Sequence, residues 1–237
     1  MTARLRASAS TLPDFYDKFY ADDASAAEPI RETAHPRNRF EFGANLVRPG
    51  RRVLDIGCGN GRTLQSLARK FREIHGTEIS AIRVGTAMKK LGTGGCITKA
   101  SALYLPYKSA SFDAVLLLDV IEHLTDVRGA IRESYRVLKP GGQLLIATPN
   151  IAFALRRLSL MTGRFPATSQ ANEGLGSQRD GLIDGGHFHY FTFSMVQHLV
   201  SEAGFRETKM TAVGRWQTVM SLWPAVLSPS VGIVATK

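Results

Sequence analysis

VLDIGCGNG, residues 53–61, decides how the chain folds. Val53, Leu54 and Ile56 make the short apolar run of a buried parallel strand, and Gly57, Gly59 and Gly61 form a turn where a Cβ would block close approach of a ligand. A helix is predicted over residues 62–72, with Leu64, Leu67, Ala68 and Phe71 on one face. Its first-turn amides then point back over the glycines, which makes a crevice for a partly anionic group.

Downstream, the apolar runs predict strands at 74–79, 96–99, 112–119 and 143–147. A helix capped by Ser80 covers 81–91, with Ile82, Val84 and Met88 as its apolar positions, and a second helix over 126–138 is stopped by Lys139-Pro140-Gly141-Gly142. Residues 205–213 and 230–236 each add a strand at one sheet edge. The expected fold is α/β, a doubly wound, mostly parallel seven-stranded Rossmann-like sheet with helices on both faces, whose ligands sit outside the carboxyl ends of the strands. One domain is expected: N-terminal helices or a lid (1–48), a cofactor-binding core (49–150), a substrate-cap insertion (151–192), and a C-terminal helix with edge strands (193–237). Within these, helices are predicted at 35–47, 151–161 and 193–203. An aromatic helix at 13–20 is free to cross the crevice, 162–186 is polar and glycine-rich, and 216–224 carries no assignable pattern.

Composition narrows the function classes. No apolar run approaches the ~18 to 20 residues that a membrane span needs, and the basic N-terminus lacks the apolar core of a secretory signal. A cytoplasmic location is expected. Cys58 and Cys96 have neither metal-ligand spacing nor the look of a disulfide framework, and both are expected to be reduced. Thirty Lys and Arg against 20 Asp and Glu leave a formal charge of +10, which suits an acidic substrate, an anionic membrane surface or nucleic acid, or is only a basic surface. No basic-aromatic stripe supports nucleic acid.

The glycine spacing is GxGxG. Dinucleotide binders need GxGxxG, and Arg62 holds the place of that third glycine, which weakens an NAD or FAD reading; no GxxxxGK[ST] loop is present. Asp55 would repel a pyrophosphate and attract an ammonium. Glu78 follows Gly57 by 21 positions, where an acid at the end of the second strand meets both hydroxyls of a ribose. A ligand with an amino-acid end, a ribose and an adenine-like ring satisfies all three demands, and S-adenosylmethionine has them.

With these residues in place, the chain resembles the class I S-adenosylmethionine-dependent methyltransferases. VLDIGCGNG is similar to their first motif, Glu78 to their second-strand acid, and FDAVLLLDVIEHLTD and LKPGGQLLIATPN to their fourth- and fifth-strand segments. HFHYFTFSMVQHLVSEAGF, residues 187–205, resembles a downstream segment of the ubiquinone-biosynthesis and methionine-W-like small-molecule branch. The resemblance implies S-adenosylmethionine as cofactor, bound by Asp55, Gly57, Cys58, Gly59, Asn60, Glu78, Ile79, Ser101, Ala102, Asp119 and Val120. Gly57 and Gly59 would meet the methionine part, Asp55 its amino group and Glu78 the ribose. Ser101 stands where the family usually has an aspartate toward the adenine. His187 and His123 are the implied catalytic candidates, and no metal site is expected.

Methyl transfer is an in-line displacement that asks mainly for alignment and exclusion of water. DVIEHL replaces the amide-reading NPPY-type motif, so the expected acceptor is a small molecule, sugar or lipid-linked precursor methylated at oxygen. The alternative is a cofactor-binding regulatory or scaffold protein without transfer activity. Nucleic acid is an unlikely partner. The helix bearing Arg156 and Arg157, with Leu155, Leu158, Leu160 and Met161 around them, is expected either to cap the substrate pocket or to lie on an anionic bilayer.

Overall fold

Seven strands hydrogen-bond into one sheet: β1 (Gly50–Ile56), β2 (Phe71–Glu78), β3 (Gly95–Lys99), β4 (Phe112–Leu118), β5 (Leu138–Pro149), β6 (Arg206–Val213) and β7 (Ser230–Thr236). Their order is β3-β2-β1-β4-β5-β7-β6. The first five are parallel, and β7 runs antiparallel to both its neighbours. The computed structural model describes residues 30–168 and 186–237. The aromatic helix expected at 13–20 and most of the 162–186 stretch lie outside the described residues.

Strand alternation sorts the core to the two faces of the sheet. Leu54, Ile56, Val115, Leu117, Leu144 and Ile146 face one side, where α4 (Val127–Val137) and α6 (Phe193–Glu202) cover them with Ile131, Val196 and Val200. Val53, Leu116 and Leu145 face the other, under Phe42 of α1 (Arg39–Leu46) and Leu64 and Leu67 of α2 (Arg62–Leu67). Each such fully buried aliphatic contributes about 1.5–3 kcal/mol. Because β1 and β4 are neighbours whose connections leave in opposite directions, a crevice opens between their carboxyl ends.

Several boundaries differ from the expectations. The helix at 62–72 stops at Leu67: Phe71 pairs with Gly50 and opens β2, so strand register takes residues that helical spacing also allowed. In α3 (Ala81–Leu91) only Ala87 is buried, while Ile82 and Met88 are exposed. The Lys139-Pro140-Gly141-Gly142 stop lies inside β5, which already begins at Leu138. β7 and β6 both add beyond β5 at one side of the sheet, as expected, with β7 inserted between β5 and β6. The helix expected from 35 starts at Arg39, with Asn38 Oδ1 accepting from the Glu41 amide at 3.0 Å. The unassigned 216–224 stretch contains one short helix, α7 (Gln217–Met220), and ends where a second, α8 (Pro224–Leu227), begins.

α5 (Ala154–Met161) buries no residue. Its Arg156 is turned inward, donating from Nη1 to the carbonyls of Asn150 and Pro229, both at 2.7 Å, and from Nε to Ala167 at 3.2 Å. Leu155, Leu158, Leu160 and Met161 remain exposed. No helix among the described residues is long and apolar enough to cross a membrane.

Two glycines test the packing in opposite directions. A Cβ on Gly76 in β2 would lie 2.7 Å from Cys58 Sγ and 2.8 Å from Ile97 and Leu64 carbons, whereas one on Gly85 in α3 meets nothing within 4 Å. Gly76→Ala is expected to lower unfolding stability by about 1–3 kcal/mol through overpacking. Gly85→Ala is expected to raise it by about 0.5–1 kcal/mol through helix propensity. Urea denaturation of the two variants checks both signs.

Candidate active site

The turn after β1 is built by backbone geometry. Gly57, Gly59 and Gly61 all hold left-handed φ, at 69°, 55° and 76°. Gly57 and Cys58 donate their amides to the Thr77 carbonyl at 2.8 and 3.0 Å, tying the turn to β2. At the end of β2, Glu78 completes the tie: Oε2 accepts from the Gly59 amide at 3.0 Å, and Oε1 from Ile79 at 2.7 Å and Ser80 at 3.1 Å. Ser80 caps α3 by accepting from the Arg83 amide at 3.2 Å. The Arg83 guanidinium stands over the turn, with Nη1 3.1 Å from where a Gly59 Cβ would be. Asn60 Oδ1 accepts from the Arg62 amide at 3.2 Å, opening α2.

The other residues singled out in the sequence fall around this turn. Asp55 is buried on β1, and its carboxyl is pushed up to about 8, first by burial and then by the charge of Glu78, with Arg39 opposing. Cys58 packs beneath the turn against Gly76, and burial raises its thiol, so what it offers a ligand is backbone. Ser101 follows β3, its Oγ accepting from the Leu103 amide at 3.2 Å, with Ala102 buried beside it. Asp119 follows β4 with φ 53° and is ion-paired with Arg39. Val120 Cγ2 lies 2.6 Å from where a Gly57 Cβ would be, so this position excludes any side chain.

These features fit a nucleoside bearing an amino-acid end. Glu78 accepts two amides on Oε1 and one on Oε2, which leaves a lone pair on Oε2 for a ribose hydroxyl. The close approach at Gly57 and Gly59 keeps the turn bare, and an ammonium beside Asp55 would remove the reason its proton is held.

Beyond β4 lies a second group. Ile121–His123 form a 3-10 turn, in which Glu122 is 1% exposed. Glu122 Oε2 accepts from Thr148 Oγ1 at 2.9 Å, while among the described residues Oε1 has no hydrogen-bond partner. Burial, and then the charge of Asp119, push this carboxyl well above the usual carboxylate range. The Glu122 carbonyl accepts from the amides of Phe188 and His189 at 2.8 and 3.3 Å, which brings His187 against His123 with ring centroids 4.8 Å apart. Nδ1 of His123 is 3.1 Å from the Gly186 carbonyl, and Nδ1 of His187 is 2.7 Å from Thr168 Oγ1. Burial lowers the pKa of His123, favouring its neutral ring.

The two histidines expected together are thus adjacent. Glu122, Arg39 and Arg83 were not foreseen, and only Glu122, inside DVIEHL, carried a motif signal. Asn150, just past β5, is buried as a clamp: its Nδ2 donates to the carbonyls of Ser228 at 2.8 Å and Ala225 at 3.1 Å. A separate groove of about 310 Å³ at the carboxyl end of β6 is lined by Arg31, His35, Arg37, Arg215 and Trp216 among others.

Comparison with known proteins agrees with this geometry. Residues 54–146 match the family model of the methyltransferase domain. The methyltransferase GfsG of Streptomyces halstedii is 32% identical over 134 residues, covering 54% of this chain and 48% of its own. The ubiquinone biosynthesis O-methyltransferase of Xanthomonas oryzae is 31% identical over 147 residues, covering 56% and 59%. The chain therefore spans about half the length of the curated relatives it matches. Among solved structures, a Thermotoga maritima S-adenosylmethionine-dependent methyltransferase, described as a possible histamine N-methyltransferase, superposes with a TM-score of 0.61 at 24% identity, covering 84% of this chain and 88% of that one. Residues 54–146 thus carry a methyltransferase domain, and the glycine turn and strand order around it are those of the Rossmann-like methyltransferase fold.

Proposed function

We propose that the protein transfers a methyl group from S-adenosylmethionine to an oxygen of a small-molecule, sugar or lipid-linked acceptor, by in-line displacement. The observation that carries this reading is the Glu78 carboxylate, fixed by the amides of Gly59, Ile79 and Ser80 at the mouth of the β1–β4 crevice. Bound S-adenosylmethionine supplies an electrophilic sulfonium methyl. The chain's work is to hold and align: Glu78 takes the ribose, Asp55 the ammonium, and the backbone at Gly57, Cys58, Gly59 and Asn60 the methionine end. Ile79, Ser101 and Ala102 border the adenine, and Asp119 and Val120 close the side toward β4.

On the acceptor side, His187, oriented by Thr168, takes the hydroxyl proton, and His123 packs beside it. The groove bearing Arg31, Arg37 and Arg215 favours an acceptor with an anionic group. The exposed leucines of α5 favour a lipid-like tail and peripheral membrane contact, with Arg156 holding the fold rather than a headgroup. A cytoplasmic location accords with free Cys58 and Cys96.

Titration calorimetry with S-adenosylhomocysteine, followed by methyl-label transfer to fractionated cell extract, tests the reading. Saturable binding and a labelled product are expected; binding without transfer would favour a regulatory protein, and no binding would end the proposal. Glu78→Gln should weaken cofactor binding by about 10- to 100-fold, as charge-assisted hydrogen bonds contribute about 1.5–3 kcal/mol each.

Asp55 gives a pH signature. Its raised folded-state pKa means that its contribution to stability is present below about 3.8 and is lost as pH rises through about 8. Asp55→Asn should therefore stabilise the cofactor-free protein by about 1–3 kcal/mol at pH 8 and give no gain below pH ~4. Since the ammonium favours the ionised carboxyl, wild-type affinity for S-adenosylhomocysteine should rise by up to about tenfold per unit from pH ~6 to ~8. In Asp55→Asn the affinity should be weak and flat with pH. A flat wild-type profile would remove Asp55 as the ammonium partner.

A further inference from the structure

We propose that Glu122, His123 and His187 form a binding site for a divalent transition-metal cation, with zinc(II) the best chemical match, beside the acceptor half of the crevice. One ligating atom from each of the three lies within 4.8 Å of the others. Tetrahedral coordination with bonds of about 2.0–2.1 Å puts ligand atoms about 3.4 Å apart, so side-chain movements of about 1 Å close the set. Two imidazoles and one carboxylate suit zinc and neighbouring first-row ions better than magnesium or calcium, which prefer oxygen.

The surroundings are those of a ligand set whose outer atoms are already held. A carbonyl only accepts, so the Gly186 carbonyl 3.1 Å from His123 Nδ1 fixes the proton there and makes Nε2 the ring nitrogen that bears the lone pair. Thr168 Oγ1, 2.7 Å from Nδ1 of His187, orients that ring, and by accepting the Nδ1 proton it would present Nε2 to the cation. Thr148 Oγ1 donates to Oε2 of Glu122 at 2.9 Å, orienting the carboxylate from behind.

Independently, Oε1 of Glu122 is buried and has no hydrogen-bond partner among the described residues, although a buried acid oxygen without a partner is costly. A cation at the cluster supplies that partner. The scaffold is stiff enough to keep the geometry, since the Glu122 carbonyl receives the Phe188 and His189 amides and locks the 187 segment to the 3-10 turn. His189 lies outside the 4.8 Å grouping and is not a ligand.

The cation's role, though not its binding, rests on the proposed oxygen transfer. With two nitrogens and one oxygen from the protein, a fourth position is left for the acceptor's hydroxyl oxygen. Coordination makes that hydroxyl more acidic, so its proton leaves to solvent. The oxygen then forms its bond to the methyl carbon as the carbon–sulfur bond breaks, and S-adenosylhomocysteine departs with the electron pair. His123 and His187 would then act as ligands, and His187 would no longer be the proton acceptor.

The test uses the full chain, stripped with a chelator and titrated calorimetrically with Zn(II), Mn(II) and Mg(II) separately, with Co(II) absorption reporting coordination. One Zn(II) per chain, bound more tightly than Mg(II), is expected. His187→Ala and Glu122→Gln should each weaken Zn(II) by at least about tenfold, and Thr148→Val by about 10- to 100-fold through loss of the outer-shell bond. The variants' affinity for S-adenosylhomocysteine, expected within about twofold of wild type, shows that they are folded. Absence of Zn(II) binding to wild type, or unchanged Zn(II) affinity in both His187→Ala and Glu122→Gln, would overturn the site. Cofactor binding without metal binding would leave the methyltransferase reading standing and remove only the cation; metal binding without cofactor binding would do the reverse.

Discussion

The carboxylate of Glu78 is the tie on which the rest of the site depends. It receives the amide of Gly59 from one segment and those of Ile79 and Ser80 from another, so one side chain fixes both the turn after β1 and the entry to α3. The turn needs this external hold. Its three glycines sit at positive φ, and Gly61 at the start of α2 makes no side-chain cap. Such a turn is poorly specified by local sequence because glycine leaves so many alternatives open. Holding a charge there has an electrostatic consequence one strand away, where Asp55 is driven toward its neutral form. The crevice is therefore shaped by backbone and tuned by two acids, and a cation arriving between them meets the field it relieves.

What could be read in advance follows from how locally each feature is determined. The strands were legible because a parallel sheet covered on both faces needs unbroken apolar runs, and Val53–Leu54, Phe112 to Leu118 and Leu144 to Ile146 provide them. The cofactor half was legible because glycines and one acid at set spacing have few other uses. The end of α2 was not: Phe71 satisfies the helical spacing of Leu64, Leu67 and Ala68, and also opens a strand, and only its pairing with Gly50 decides. α3 misled for a different reason. Ala87 is the residue that fits against Gly61, its Cβ 3.2 Å from where a Gly61 side chain would begin, and that contact turns Ile82 and Met88 outward. The acceptor half was nearly invisible, since Glu122 reads as an ordinary polar residue until Thr148 and the 187 segment are folded onto it.

The excess of positive charge also reads differently in the folded chain. Many of these cations serve as donors to backbone carbonyls at element ends. Lys70 Nζ meets Ala44, Arg136 meets Leu105 and Tyr107, Arg156 meets Asn150 and Pro229, and Lys237 meets Tyr135 and Leu138. Carbonyls at the ends of helices and strands lack ladder partners, and a long cationic side chain satisfies them while keeping part of its stem packed. Such cations are committed to the fold. Net charge alone is thus a poor guide to the partner of this protein, and the basic residues that remain informative are those gathered at a site, as in the groove at β6 and over the glycine turn.

Arg39 connects the two halves. It belongs to α1, outside every motif, yet its guanidinium pairs with Asp119, whose left-handed backbone places it between the cofactor turn and the Glu122 group. From there its charge acts on both sides, lowering the pKa of Asp55 and of Glu122 and also that of His123. Glu122 in turn feels Asp119 directly. A change of charge at the cofactor end, such as an ammonium settling by Asp55, is therefore felt by a cation that also faces the acceptor end, without any movement of the sheet between them. The sheet supplies the frame and the glycine turn supplies the crevice, but the electrostatic link between them runs through a helix that precedes the first strand.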